Sequence, residues 1–191
     1  MQFHLNGFQT GNPEENNGKN SIRNPPRMRN LTEKADVLIV GCGPAGLTLA
    51  AQLSKFPDIK TVIVEQKEDK LLLGQADGVA CRTMEMFEAF GFSDKVLKEG
   101  YWVNETVFWK PDDKNPKNII RSSKIQDTED GLSEFPHMVL NQARVHDFYL
   151  DLMKNSPTML EPDYSRRLVS MEINSEMNDA NDFPVTATLD T

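Results

Sequence analysis

Cysteine is scarce in this chain of 191 residues: Cys42 and Cys81 stand against 29 acidic and 21 basic side chains. The two form no C-x-x-C pair and share no metal-ligand spacing with the three histidines. That excludes a disulfide scaffold and a zinc module, and it favours a reducing, cytoplasmic setting. Long apolar runs are missing as well. No stretch of about 18 apolar residues occurs, and the opening Met1-Gln2-Phe3-His4-Leu5 lacks the apolar centre of a signal peptide, so neither a membrane span nor an export signal is expected. An excess of positive charge is the third absence. A net charge of −8 repels phosphate backbones and argues against nucleic acid as a general partner.

The apolar residues that are present begin in earnest at Ala35. Residues 9–34 are rich in Asn, Pro, Glu, Lys and Arg without helical or strand period, so residues 1–34 read as a flexible leader and residues 35–191 as one domain. Phe3 and Leu5 fit either a short docking strand or a frayed terminus. Val37 to Val40 form a β-rich apolar run, expected to be buried on both faces. Leu47 to Phe56 read as a helix stopped by Pro57, and Thr61 to Val64 as a second buried strand. Further on, Met84, Phe87 and Phe90 mark a helix ended by Gly91, with Ser93 as the cap of a shorter one ended by Gly100. Val103 to Trp109 suit a strand. Asn141 can cap a longer helix with the stripe Val145, Phe148, Tyr149, Leu152 and Met153. Arg167 to Ile173 and Val185 to Leu189 alternate as strands do.

Strand, glycine turn, helix and strand within about 30 residues make a βαβ unit with a parallel sheet. The turn, Gly41-Cys42-Gly43-Pro44-Ala45-Gly46, matches G-x-G-x-x-G. Its first glycine permits the sharp turn, its second lets a pyrophosphate approach, and its third lets helix and strand pack closely. Glu65 ends the second strand, where an acid accepts both hydroxyls of an adenosine ribose and repels a 2′-phosphate. These residues point to a dinucleotide, and by themselves they do not separate FAD from NAD. Cys42 reads as a small turn residue, since no histidine neighbours it to activate a thiol.

Three further segments carry a resemblance. They are Val64-Glu65-Gln66-Lys67, Gly74-Gln75-Ala76-Asp77-Gly78-Val79-Ala80-Cys81-Arg82-Thr83-Met84-Glu85, and Asn141-Gln142-Ala143-Arg144-Val145-His146. With the glycine turn, Phe108 to Pro111 and Gln126 to His137, they resemble the single-component flavin-dependent aromatic hydroxylases, in the branch acting on 3-hydroxybenzoate or phenol. The resemblance implies a Rossmann-like α/β FAD-binding domain with a parallel sheet, followed by the start of a mixed or antiparallel substrate-domain sheet. It implies FAD as cofactor and NADPH as transient reductant, with O2 and a small phenolic compound as reactants.

By the same resemblance, Gly41, Gly43, Pro44, Ala45, Gly46, Glu65 and Gln66 serve the ADP half of FAD. Gly74, Gln75, Arg82 and Gln142 serve its pyrophosphate and ribityl region. For Arg82 a surface salt bridge, and for Gln142 a simple helix-start role, are the alternatives. Asp77 would face the phenolic hydroxyl, because a phenolate pushes charge onto the ring carbons that take the oxygen. A phenol titrates near pH 10 and an ordinary Asp near about 3.9, so proton removal needs a desolvated Asp77 or additional donors. Asp77 as a turn or capping acid is the alternative.

Asp127, Glu129, Asp130 and Glu134 lack ligand spacing and read as a solvated loop, with no metal expected. His137 and His146 read as structural or exposed, and Trp102 and Trp109 as packing groups. The resemblance also implies a longer parent, a homodimer or larger. Its later Asp-Gly and Gly-Asp cofactor segments are not found here, so the chain by itself is expected not to hydroxylate. A non-catalytic nucleotide-binding module is the competing class.

Overall fold

A computed structural model describes residues 31–177 and 183–190. The expected leader strand at Phe3 and Leu5, like most of the leader, lies outside them. The described chain divides into two compact units, Leu73–Val145 and the flanking stretches ending at Leu72 and beginning at His146.

The flanking unit opens with the βαβ element. Strand β1 (Val37–Val40) and strand β2 (Thr61–Val64) pair in parallel, Val37 opposite Thr61 through Val40 opposite Val64. Helix α1 (Pro44–Leu53) crosses between them. It starts earlier than its apolar stripe indicated because Pro44 occupies the first turn, where its missing N–H costs nothing. Leu47, Ala50 and Ala51 are fully buried against the strands. Burial on both faces does not hold for β1: Leu38 and Val40 remain 36% and 49% exposed. Helix α1 covers only the face that carries Ile39.

An unforeseen extended segment runs along the other side of β2. Asp163 N–H donates to Ile63 O (2.9 Å), Glu65 N–H to Asp163 O (2.8 Å) and Arg166 N–H to Glu65 O (2.9 Å). Strands β8 (Arg167–Ile173) and β9 (Val185–Asp190) follow as an antiparallel hairpin, as their alternation indicated.

The central unit holds β3 (Gly78–Val79), α2 (Cys81–Phe90), α3 (Ser93–Glu99), β4 (Tyr101–Val103), β5 (Glu105–Pro111), β6 (Ile119–Gln126) and β7 (His137–Val139). Strand β7 lies between β3 and β4, antiparallel to both. Met84, Phe87, Val96 and Met138 form a core with no more than 2% exposure. Ser93 does not cap α3. Phe92 holds the cap position, and the Ser93 hydroxyl donates to the Glu88 carboxylate. The expected strand from Val103 is broken at Asn104, whose carbonyl accepts the Asp127 N–H (3.0 Å).

Strands β5 and β6 form a hairpin with a bulge. Phe108 pairs with Ser123 and Trp109 with Arg121, so Ser122 is the extra residue. Trp102 and Trp109 are 49% and 64% exposed, which overturns their reading as packing groups. Trp102 stands opposite the buried Met138 at the rim of an open cleft, and Trp109 lies on the exposed β5–β6 hairpin.

The division between units falls within helix α4 (Gln142–Lys154). Asn141 caps this helix through its side-chain oxygen, which accepts the Ala143 N–H (2.8 Å). Val145, Phe148, Tyr149 and Met153 are buried, as the stripe predicted, while Leu152 is only half-buried.

Candidate functional site

The glycine turn is shaped by three different demands. Gly41 has φ +102°, a conformation that L side chains rarely adopt, and its N–H donates to Val64 O (2.7 Å). A Cβ on Gly46 would lie 2.1 Å from Gly41 O and 3.3 Å from Ile39 Cγ2, so close helix–strand contact requires glycine there. Gly43 has neither constraint. Its backbone is extended (φ −71°, ψ 174°), and a Cβ there would meet none of the described residues within 4 Å. Open space at this position, beside a helix start that no side chain among the described residues caps, suits an incoming anion.

Glu65 stands at the same turn. Its Oε2 accepts the Cys42 N–H (2.8 Å) and its Oε1 the Lys67 N–H (3.0 Å). Two backbone donors thus fix the carboxylate at the end of β2, and each oxygen keeps lone-pair capacity for a further donor. Gln66 is exposed beside it. Burial, helped by the Glu65 charge, pushes the Cys42 thiol up to about 12. It therefore stays protonated and is no nucleophile at neutral pH.

Within the flanking unit, Lys70 Nζ pairs with Asp147 Oδ1 (2.9 Å), and the Thr48 and Tyr149 hydroxyls meet at 2.8 Å. His146 is buried and its Nε2 has no hydrogen-bond partner among the described residues. Desolvation, countered in part by Asp147, lowers its pKa.

The central unit carries the second group of expected residues. Gly74 abuts the start of α4, where a Cβ would lie 2.4 Å from Gln142 Cβ and 3.0 Å from Gln142 N. The Gln142 side-chain oxygen accepts the Gln75 N–H (2.9 Å), so these two residues form one local structure. Arg82 projects from the first turn of α2 and is exposed, with Nη1 donating to both Glu85 oxygens (2.9 and 2.8 Å). Asp77 is exposed, and its carbonyl accepts the Leu140 N–H (2.8 Å), which continues the β3–β7 ladder.

Sequence reasoning read His137 as structural or exposed, without a partner, yet the fold sets it against the Asp77 loop. A Cβ on Gly78 would lie 3.3 Å from His137 Nε2, while His137 Nδ1 is 2.8 Å from Asp127 Oδ2. The sequence signal was the alternation His137-Met138-Val139, which places His137 and Val139 opposite the buried Met138. Asp127 accordingly leaves the solvated-loop group, whereas Glu129, Asp130 and Glu134 line an open cleft with Trp102 and Phe135. No group of three His, Cys, Asp or Glu side chains among the described residues is arranged to hold a metal ion. No helix among them is long and apolar enough to cross a membrane.

A glycine turn with an anion-ready helix start and a carboxylate at the end of the second strand defines a dinucleotide-binding α/β domain. Residues 34–188 match the FAD binding domain family, and the chain belongs to it. It is 60% identical over 190 residues to 3-hydroxybenzoate 4-monooxygenase of Comamonas testosteroni, covering 100% of this chain and 29% of that enzyme. Solved structures share the fold. The flavin-dependent monooxygenase PieE, in complex with FAD and substrate, superposes with a TM-score of 0.62 at 22% identity, over 81% of this chain and 26% of its own. The p-nitrophenol 4-monooxygenase PnpA of Pseudomonas putida DLL-E4 gives a TM-score of 0.63 at 19% identity, over 81% and 36%. The chain thus spans less than a third of the Comamonas relative.

Proposed function

We propose that this chain binds FAD through Gly41 to Gly46 and Glu65. We further propose that it supplies the cofactor-binding part of a cytoplasmic, NADPH-using monooxygenase that converts 3-hydroxybenzoate to 3,4-dihydroxybenzoate. The observation that carries the reading is the Glu65 carboxylate, tied to the Cys42 N–H beside the open Gly43 position. Pro44 and Ala45 begin the helix whose free N–H groups meet the pyrophosphate, and Gln66 adjoins the ribose-facing acid. Gly74, Gln75, Arg82 and Gln142 are assigned to the rest of the cofactor. The Arg82 guanidinium is free to leave its exposed Glu85 partner, since such pairs contribute little.

FAD, when bound, supplies the electrons taken from NADPH and activates O2. The chain's own part in the chemistry is to place the phenol. Asp77 accepts a hydrogen bond from the phenolic hydroxyl and draws its proton toward a carboxylate oxygen, which raises electron density at the ortho and para carbons. His137, on the other side of Gly78, faces the substrate carboxylate. That role favours 3-hydroxybenzoate over phenol, which would leave the imidazole without an anionic partner. The 60% identity to the Comamonas enzyme supports the same substrate class.

The cofactor assignment is tested by titrating the purified chain with FAD and following flavin fluorescence. Saturable quenching relieved by ADP is expected; absence of binding at high micromolar FAD refutes it. The reaction is tested with the protein expressed from its natural reading frame. NADPH oxidation stimulated by 3-hydroxybenzoate, with 3,4-dihydroxybenzoate as product, is expected. NADPH oxidation with no aromatic product refutes the hydroxylase reading while leaving the flavin assignment intact. The parent is read as a homodimer or larger, to be checked by sedimentation of the same protein.

A further inference from the structure

We propose that Asp127 is a positioning residue that fixes the ring orientation and tautomer of His137, so that Nε2 is presented beside Gly78 and the Asp77 loop. The role of this imidazole in substrate binding rests on the reading above, whereas its orientation rests on geometry alone. Asp127 Oδ2 lies 2.8 Å from His137 Nδ1, and Asp127 Oδ1 accepts the Thr106 hydroxyl (3.2 Å). The Asp127 N–H donates to Asn104 O (3.0 Å). The carboxylate is therefore held from β5 and the Asp127 backbone from the β4–β5 junction, while the imidazole stands on β7 opposite Val103. Both side chains are partly shielded, 18% exposed for Asp127 and 33% for His137.

An ionised carboxylate only accepts, so the contact demands a proton on Nδ1. The neutral ring then offers only a lone pair at Nε2, which cannot bond a carboxylate, whereas the ring protonated on both nitrogens offers Nε2–H as the charged donor a substrate carboxylate takes. Either way the same nitrogen faces Gly78. Without Asp127 the ring can flip about its χ2 torsion or move its proton to Nε2, and the nitrogen beside Gly78 is no longer defined.

The test uses the holoenzyme from the natural reading frame, with D127N, T106V and H137Q. The two probes are 3-hydroxybenzoate and 3-hydroxybenzyl alcohol, which keeps the phenol and lacks the charge. With D127N, we expect the dissociation constant and KM for 3-hydroxybenzoate to rise about tenfold or more, the size of one lost charge-assisted hydrogen bond. The values for the alcohol and kcat for either compound should stay within about twofold. T106V, which removes one anchor of the carboxylate, should shift the acid's KM in the same direction by less.

Nitrogen chemical shifts of the neutral His137 ring in the substrate-free protein should show the Nδ1–H tautomer in the parent and a mixture in D127N, and with 3-hydroxybenzoate bound the parent should show both nitrogens protonated. Unchanged shifts together with an unchanged acid KM in D127N overturn the proposal, as does an equal loss for both compounds. If H137Q leaves the acid's KM unaltered, the substrate-facing reading of His137 fails instead. The tautomer comparison then decides for or against the positioning role by itself.

Discussion

Two glycines three residues apart should respond oppositely to the same substitution. At Gly43 an added methyl meets no atom of the described residues within 4 Å, and φ −71°, ψ 174° is ordinary for alanine. Gly43→Ala should therefore leave unfolding free energy unchanged or raise it by about 0.4–1 kcal/mol, because the unfolded chain loses freedom. At Gly46 the methyl would sit 2.1 Å from the Gly41 carbonyl oxygen, a backbone atom that cannot step aside without opening the turn. Overpacking of that kind costs about 1–3 kcal/mol or more. FAD affinity should fall in both. In Gly43→Ala the methyl occupies space that the pyrophosphate requires, and displacing one charged hydrogen bond of about 1.5–3 kcal/mol weakens binding roughly 10- to 150-fold. Urea unfolding of the flavin-free chain and flavin fluorescence titration separate the two effects. Gly43→Ala binding FAD as tightly as the parent, or losing as much stability as Gly46→Ala, would refute the assignment of this turn to a pyrophosphate.

Other substitutions probe the remaining parts. Glu65→Gln should turn an amide toward one of two backbone donors and cost about 1–3 kcal/mol in urea unfolding, with a parallel loss of FAD affinity. Gly74→Ala should push the start of α4 away from Gln142 and break the 2.9 Å Gln75–Gln142 bond, seen as faster amide exchange at Gln75. His146 has a folded-state pKa below its unfolded value near 6.5, so it costs nothing above that pH. Stability should fall as pH drops from about 6.5 toward the lowered pKa, by at most about 1.4 kcal/mol per pH unit, and His146→Gln should remove that slope in pH-dependent urea unfolding. Asp77→Asn should retain FAD and lose most aromatic product, measured by chromatography on the full-length protein.

The βαβ element was legible because its information is local. Four-residue apolar runs at Val37 and Thr61, a glycine turn and a terminal Glu65 specify both the pairing and the acid's position. Asn141 as cap and the α4 stripe were equally local. What escaped depended on partners distant in sequence. The segment at Asp163 has no period of its own and is extended only because β2 offers it carbonyl and N–H groups. Asp127 looked like one acid among several until β7 brought His137 to it. Exposure of Trp102 and Trp109 ran against their apolar character because a strand's alternation says which face a residue takes, not what lies opposite. The Gly74–Gln142 contact was visible in the sequence only as two members of a family pattern. Its physical reason, a backbone approach with no room for a Cβ, needed coordinates.

The bulge at Ser122 sets the parity of the β5–β6 hairpin. On its Gln126 side, even-numbered β6 residues share a face with Glu105 and Val107; past Ser122, odd-numbered Arg121 and Ile119 share that same face with Trp109 and Pro111. The extra residue therefore acts as a phase shift. Loss of Ser122 alone would leave a regular ladder with every face kept, whereas loss of a different β6 residue with the bulge retained would exchange the outward and inward sets along part of the strand. Insertions and deletions in the arm are thus expected to accumulate at its Asp112 to Asn118 turn, where no parity is at stake.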